Sequence, residues 1–106
     1  MEPTVERRKY PRYLVRFKSM FSTDGVRFEK GLVYDLSLGG CRLMSPFHIP
    51  SGISIEIHIR PDQHAPIHVS SAVVCWIGVS AFGVQFKGLP ELESVTLTRL
   101  LWTLRS

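Results

Sequence analysis

The sequence predicts an all-β domain: a closed or nearly closed six-stranded antiparallel barrel over residues 13–88, followed by one C-terminal α-helix over residues 90–105. Three observations carry this. Apolar and polar residues alternate with period two again and again between Tyr13 and Lys87. Turn signals such as Asp24-Gly25 and Pro50-Ser51-Gly52 separate the alternating runs. After Gly88-Leu89-Pro90 the period lengthens, and leucines recur at helical spacing. Six short strands leave exposed edges unless the sheet curls round to meet itself, so closure is favoured over an open sheet.

In the first strand Tyr13, Val15, Phe17 and Phe21 alternate with Arg16, Lys18 and Met20, and the run stops at Ser22-Thr23-Asp24-Gly25. The second starts near Phe28, with Phe28, Leu32, Tyr34 and Leu36 on one face and Glu29, Val33, Asp35 and Ser37 on the other. Leu38-Gly39-Gly40 breaks it. Cys41 to Met44 form a short third strand closed by Ser45-Pro46. The fourth has the cleanest pattern, Ile53, Ile55, Ile57 and Ile59 pointing inward and Ser54, Glu56, His58 and Arg60 outward. A polar connection through Pro66 leads to the fifth strand, about Ile67 to Ile77, and Phe82, Val84 and Phe86 mark the sixth. Leu92, Leu97, Leu100, Leu101 and Leu104 then define one helical face, which is expected to cap the barrel. Trp102 either packs on the barrel or stays exposed for a partner.

Composition narrows the classes. With 44% hydrophobic and 21% charged residues the 106-residue chain is neither disordered nor coiled-coil, and its length suits one core. No apolar run approaches the ~18 residues of a membrane helix, and the start of the sequence lacks the apolar stretch of a secretory signal, so a cytoplasmic location without membrane insertion is expected. Cys41 and Cys75 are expected to be buried thiols. The net charge of +4 is local: residues 1–18 hold six cations against Glu2 and Glu6, whereas the other 88 residues hold seven of each sign. One basic arm beside a neutral body suits a small or localised anionic partner better than a general polyanion.

Two short elements carry the chemistry. The first is Arg8-Lys9-Tyr10-Pro11-Arg12. Pro11 forbids ordinary helix and pushes Tyr10 to extended geometry, so the arginines sit on a loop. That loop can curl to bring both guanidinium groups onto one ligand, whereas a fully extended chain would hold them about 13 Å apart. The second is Asp35-Leu36-Ser37-Leu38-Gly39-Gly40, which offers a carboxylate and a hydroxyl on one face and then backbone free of side chains. A guanine edge presents acceptors at O6 and N7 that match arginine, and donors at N1 and N2 that a carboxylate accepts. Phosphate suits arginine as well. The set therefore reads as a binder of an anionic guanine nucleotide.

At these residues the sequence resembles the PilZ domain, the bacterial receptor module for cyclic di-GMP. The family is marked by an RxxxR loop preceding a six-stranded barrel and by a [D/N]xSxxG element; here these are Arg8 to Arg12 and Asp35, Ser37 and Gly40. The resemblance implies that Arg8 and Arg12 clasp guanine and phosphate groups, that Asp35 and Ser37 hold a guanine edge, and that Gly40, beside Gly39, leaves room for the ligand. The residue before the first motif arginine is Arg7, and an added cation there points to two cyclic di-GMP molecules per chain. Residues 1–12 are expected to act as a basic arm that is mobile when empty and pinned when occupied, giving a ligand-dependent adaptor whose new surface a protein effector reads.

Other readings compete with this one. Without the second motif, the basic arm would be an ordinary solvated terminus, and Asp35 and Ser37 would be turn residues satisfying nearby backbone. A small barrel that binds single-stranded nucleic acid through the arm is the main rival, although Asp35 opposes it, so neither DNA nor RNA is the expected partner. A ligand-blind interaction module that keeps only the fold is another. No phosphate-cradling loop, nucleophile elbow or acid–base pair suggests an enzyme, and no cofactor is implied. His48, His58, His64 and His68 show no helical or paired-strand ligand pattern, so surface or structural roles are expected and no metal site.

Overall fold

The hairpin signal at Asp24-Gly25 turns the first strand back on itself. In the computed structural model of the chain, which describes residues 10–105, Ser22 Oγ accepts the Gly25 amide at 2.7 Å. Asp24 Oδ1 accepts the Val26 and Arg27 amides at 2.8 and 3.0 Å, and Gly25 takes the positive φ of 78° that the reversal requires. This turn joins β1 (Tyr13–Ser22) to β2 (Glu29–Leu36). The same bonds hold the Asp24 carboxyl down at about 2, with the Arg27 and Val26 amides as the main causes. A carboxylate whose folded-state pKa lies below its ordinary value stabilises the fold above that ordinary value, near 3.8, and the contribution disappears as pH falls through about 2. Asp24→Ala is therefore expected to lower the thermal midpoint at pH 7 but much less at pH 2, as a pair of melting curves would show.

β3 (Gly40–Met44), β4 (Ser54–Arg60), β5 (Ile67–Gly78) and β6 (Ala81–Gly88) complete a closed barrel of order β1-β2-β3-β6-β5-β4, every pairing antiparallel. β1 pairs with both β2 and β4, so no edge is left open. The inward side chains alternate as the period-two pattern requires: Phe17 and Phe21 from β1, Ile55, Ile57 and Ile59 from β4, Ile67, Val69 and Val74 from β5, Phe82 and Val84 from β6. Phe21 and Phe82 meet edge to face in the interior, their ring centroids 5.2 Å apart. α1 (Glu91–Leu104) seals the barrel with Leu97, Leu100 and Leu101, which join the same core. No helix among the described residues is long and apolar enough to cross a membrane.

Bulges account for two departures from simple alternation. Between Val33 and Asp35 the pairing of β2 with β3 slips, so Val33, rather than Leu32 or Tyr34, fills the interior, and the inward face then passes to Leu36. Between Val74 and Trp76 the pairing of β5 with β6 slips as well, and Cys75 and Trp76 are both turned outward. Cys75 is thus an exposed thiol, contrary to expectation, whereas Cys41 is fully buried and its thiol is pushed far up, chiefly by desolvation. Leu92 also departs from its assigned face: it stands exposed at the start of α1, where the helix has not yet reached the barrel, and Trp102 is exposed near the other end.

Candidate functional site

Arg12 immediately precedes β1, and Asp35 lies near the end of β2, where Leu14 is its partner across the ladder. Hairpin pairing of β1 with β2 brings the two charges together although 23 residues separate them. Arg12 Nε donates to Asp35 Oδ1 at 3.0 Å and to Oδ2 at 3.2 Å. The carboxylate is 11% exposed and the guanidinium-bearing side chain 25%, so at the barrel rim Asp35 is largely shielded from water while Arg12 is partly open.

Just beyond Asp35 the chain makes a tight turn ordered by its own serine. Ser37 Oγ accepts the Gly39 amide at 3.1 Å and donates to the Gly40 carbonyl at 3.3 Å, while the Ser37 amide donates to that carbonyl at 2.9 Å. The two glycines do different work. A Cβ at Gly39 would lie 3.0 Å from the Tyr10 ring, so the bare backbone there is a seat for that aromatic face. A Cβ at Gly40 would run into the Val84 carbonyl oxygen and its neighbouring backbone; here the missing side chain lets β3 close against β6. Gly39 ties the same corner down by accepting the Phe86 amide at 2.9 Å.

A second feature extends from this corner. Arg42 stands opposite Asp35 in the β2–β3 ladder, and Gly83 stands opposite both Arg42 and Trp76 in the next two. Because Gly83 has no side chain, the Arg42 guanidinium reaches over the Trp76 ring, 4.9 Å from its centroid. The sequence pattern by itself assigns no site role to Arg42 or Trp76. The available signal was the outward alternation of Arg42 between Cys41 and Leu43, but its partner two ladders away depends on barrel register.

The family model for the PilZ domain matches residues 6–101. The chain belongs to the PilZ domain family. Solved structures agree on the fold. The chain superimposes on YcgR of Escherichia coli, determined in complex with c-di-GMP, with a TM-score of 0.82 at 20% identity, covering 95% of this chain and 47% of that one. It superimposes on the inhibitor of motility MotI/DgrA of Bacillus subtilis with a TM-score of 0.75 at 19% identity, covering 97% and 56%. A PilZ domain of CeSA from a cellulose-synthesizing bacterium gives 0.70 at 19% identity, covering 91% and 99%. The chain therefore spans about half the length of the YcgR and MotI chains. No curated protein sequence matches it.

Within the PilZ frame, Arg12, Asp35, Ser37, Gly39 and Gly40 converge on one corner of the barrel, and Tyr10 lies over Gly39. Arg7 and Arg8 lie outside the described residues. A cleft of about 420 Å³ opens at the other end of the barrel, bordered by Thr23, Asp24, Arg27 and Glu29 beside the β1–β2 turn, far along β1 from the Arg12–Asp35 corner.

Proposed function

We propose that this PilZ domain is a cyclic di-GMP receptor and works as a ligand-dependent adaptor rather than as an enzyme. The observation that carries this is the Arg12–Asp35 pair, a guanidinium and a carboxylate held together at an accessible rim beside a glycine turn. Each partner matches one part of the ligand. The carboxylate accepts from guanine N1 and N2, and the guanidinium donates to O6 and N7 or to phosphate. A guanine edge arriving at this corner exchanges one charge-assisted contact for others, so entry of the ligand does not strand a buried charge.

In this scheme Arg7 and Arg8 supply the further cations that the phosphates require, and Tyr10, seated over Gly39, offers an aromatic face to a base. Ser37 acts mainly through the turn: with its hydroxyl engaged at Gly39 and Gly40, it sets the direction of the backbone that the ligand meets. That the structures of YcgR and of MrkH from K. pneumonia contain c-di-GMP supports the same ligand class here. The adaptor role follows from chemistry of this kind: Tyr10 and Arg12 already stand at the rim, and a ligand engaged there together with Arg7 and Arg8 adds a surface absent from the empty protein. A protein effector that recognises this surface completes the scheme.

Calorimetry on the whole chain tests the proposal. Cyclic di-GMP is expected to bind with an affinity of micromolar order, with a molar ratio near two, while GTP and single-stranded oligonucleotides give little heat. Binding that grows with oligonucleotide length and collapses with salt would instead assign the corner to nucleic acid.

A further inference from the structure

The fourth and fifth strands place three metal-ligating side chains on one patch of the outer wall. His58 of β4 stands directly opposite His68 of β5 in the antiparallel ladder, and Glu56 lies two residues before His58 on the same outward face. Glu56 Oε2 accepts from His58 Nε2 at 3.0 Å and from His68 Nε2 at 2.7 Å. The donor atoms of all three residues lie within 4.8 Å of one another. The two imidazoles are stacked, centroids 4.3 Å apart and planes 12° from parallel, and the Phe28 ring abuts His58 edge-on at 5.3 Å. The sequence reading did not foresee this cluster, because ten residues separate the histidines and only the register across the 61–66 connection makes them neighbours.

We propose that Glu56, His58 and His68 form a binding site for a divalent transition-metal ion of the zinc class, bridging β4 and β5. Two imidazole nitrogens and one carboxylate oxygen are a ligand set preferred by zinc and its first-row neighbours and ill-suited to calcium or magnesium, which take oxygen ligands. Arg60, next on the same face of β4, further disfavours ions held by charge alone. All three side chains are partly open to water, so solvent supplies the remaining coordination positions. A metal sits in the plane of each imidazole that binds it, and stacked rings cannot both satisfy this. Binding therefore turns the rings out of their stack, with the proton on each moving from Nε2 to Nδ1, and puts the ion where the two N–H groups now converge on Glu56. The site is independent of the nucleotide corner: His58 pairs with Met20 of β1 and Asp35 with Leu14, roughly 20 Å apart along that strand.

The test uses the whole chain with zinc and, as a spectroscopic probe, cobalt. One equivalent of zinc is expected to bind, to shift the side-chain NMR signals of His58 and His68 together while leaving those of His48 and His64 in place, and to raise the thermal midpoint by linkage. Cobalt should give visible ligand-field bands at the same stoichiometry. His58→Ala and His68→Ala should each weaken zinc binding by at least about tenfold, and Glu56→Gln should weaken it as well. Equal zinc affinity in the wild type and the His58→Ala/His68→Ala double variant overturns the proposal, as does a wild-type response confined to His48 or His64. The wild-type NMR result decides the matter even if an alanine variant fails to fold.

Discussion

Arg12→Ala is expected to weaken cyclic di-GMP binding by at least tenfold, and Asp35→Ala by a similar factor. Both residues already make a charge-assisted contact in the folded protein, so the geometry presented to a ligand is set before it arrives. Contacts of this kind contribute about 1.5–3 kcal/mol each, and about 1.4 kcal/mol corresponds to a factor of ten in affinity. The two losses should not add. Removing Arg12 leaves the 11%-exposed Asp35 carboxylate without its cation, and removing Asp35 leaves Arg12 without its tether, so each single variant carries part of the other's loss. A double-mutant cycle by calorimetry therefore should show coupling of at least about 0.5 kcal/mol. Wild-type affinity in both single variants would remove this corner from the binding site.

The largest effect on folding should come from Gly40→Ala. The added methyl would enter the space of the Val84 carbonyl oxygen, and because that atom is backbone in the facing strand, no rotamer change relieves the conflict. The barrel must open along the β3–β6 seam or shift Val84 out of register. Overpacking of a well-packed interior costs about 1–3 kcal/mol and at times more, and a backbone obstacle belongs at the upper end, so a loss of ~3 kcal/mol or failure to fold is expected. Gly39→Ala is the matched control. Its Cβ would press on the ring of Tyr10, a side chain that can move aside, so a far smaller loss of stability is expected. Chemical denaturation of the two variants side by side checks this, and equal midpoints would refute the assignment of Gly40 to strand closure.

That contrast changes the meaning of a motif glycine. From the sequence, Gly39 and Gly40 look equivalent, two flexible residues at a strand end with space for a ligand. In the barrel the Gly40 position is explained by the approach of β6, whereas the bare backbone at Gly39 is covered by the Tyr10 ring. Ser37 shows a similar shift: its hydroxyl, expected on the guanine edge, is engaged in the turn, while Asp35 is held across the hairpin rather than by local backbone. Strand identities and their succession along the chain were readable because alternation is a local property of the chain. Bulges were not, since a slip of one residue depends on what the neighbouring strand presents. Hence Val33 and Leu36 both face inward, and Cys75 and Trp76 both face outward, against the plain pattern.

The chain by itself determined an all-β body, six strands with their turns, a closing helix, a cluster of cations in the first 18 residues, and two short elements that resemble PilZ motifs. Each of these depends on residues near one another in sequence, where period, turn chemistry and spacing act directly. Only the folded barrel decided which distant residues meet: Arg12 with Asp35, Arg42 with Trp76, and His58 with His68 over Glu56. Those pairings depend on register and on bulges, which are fixed when six strands close around a common core, and no single strand contains that information.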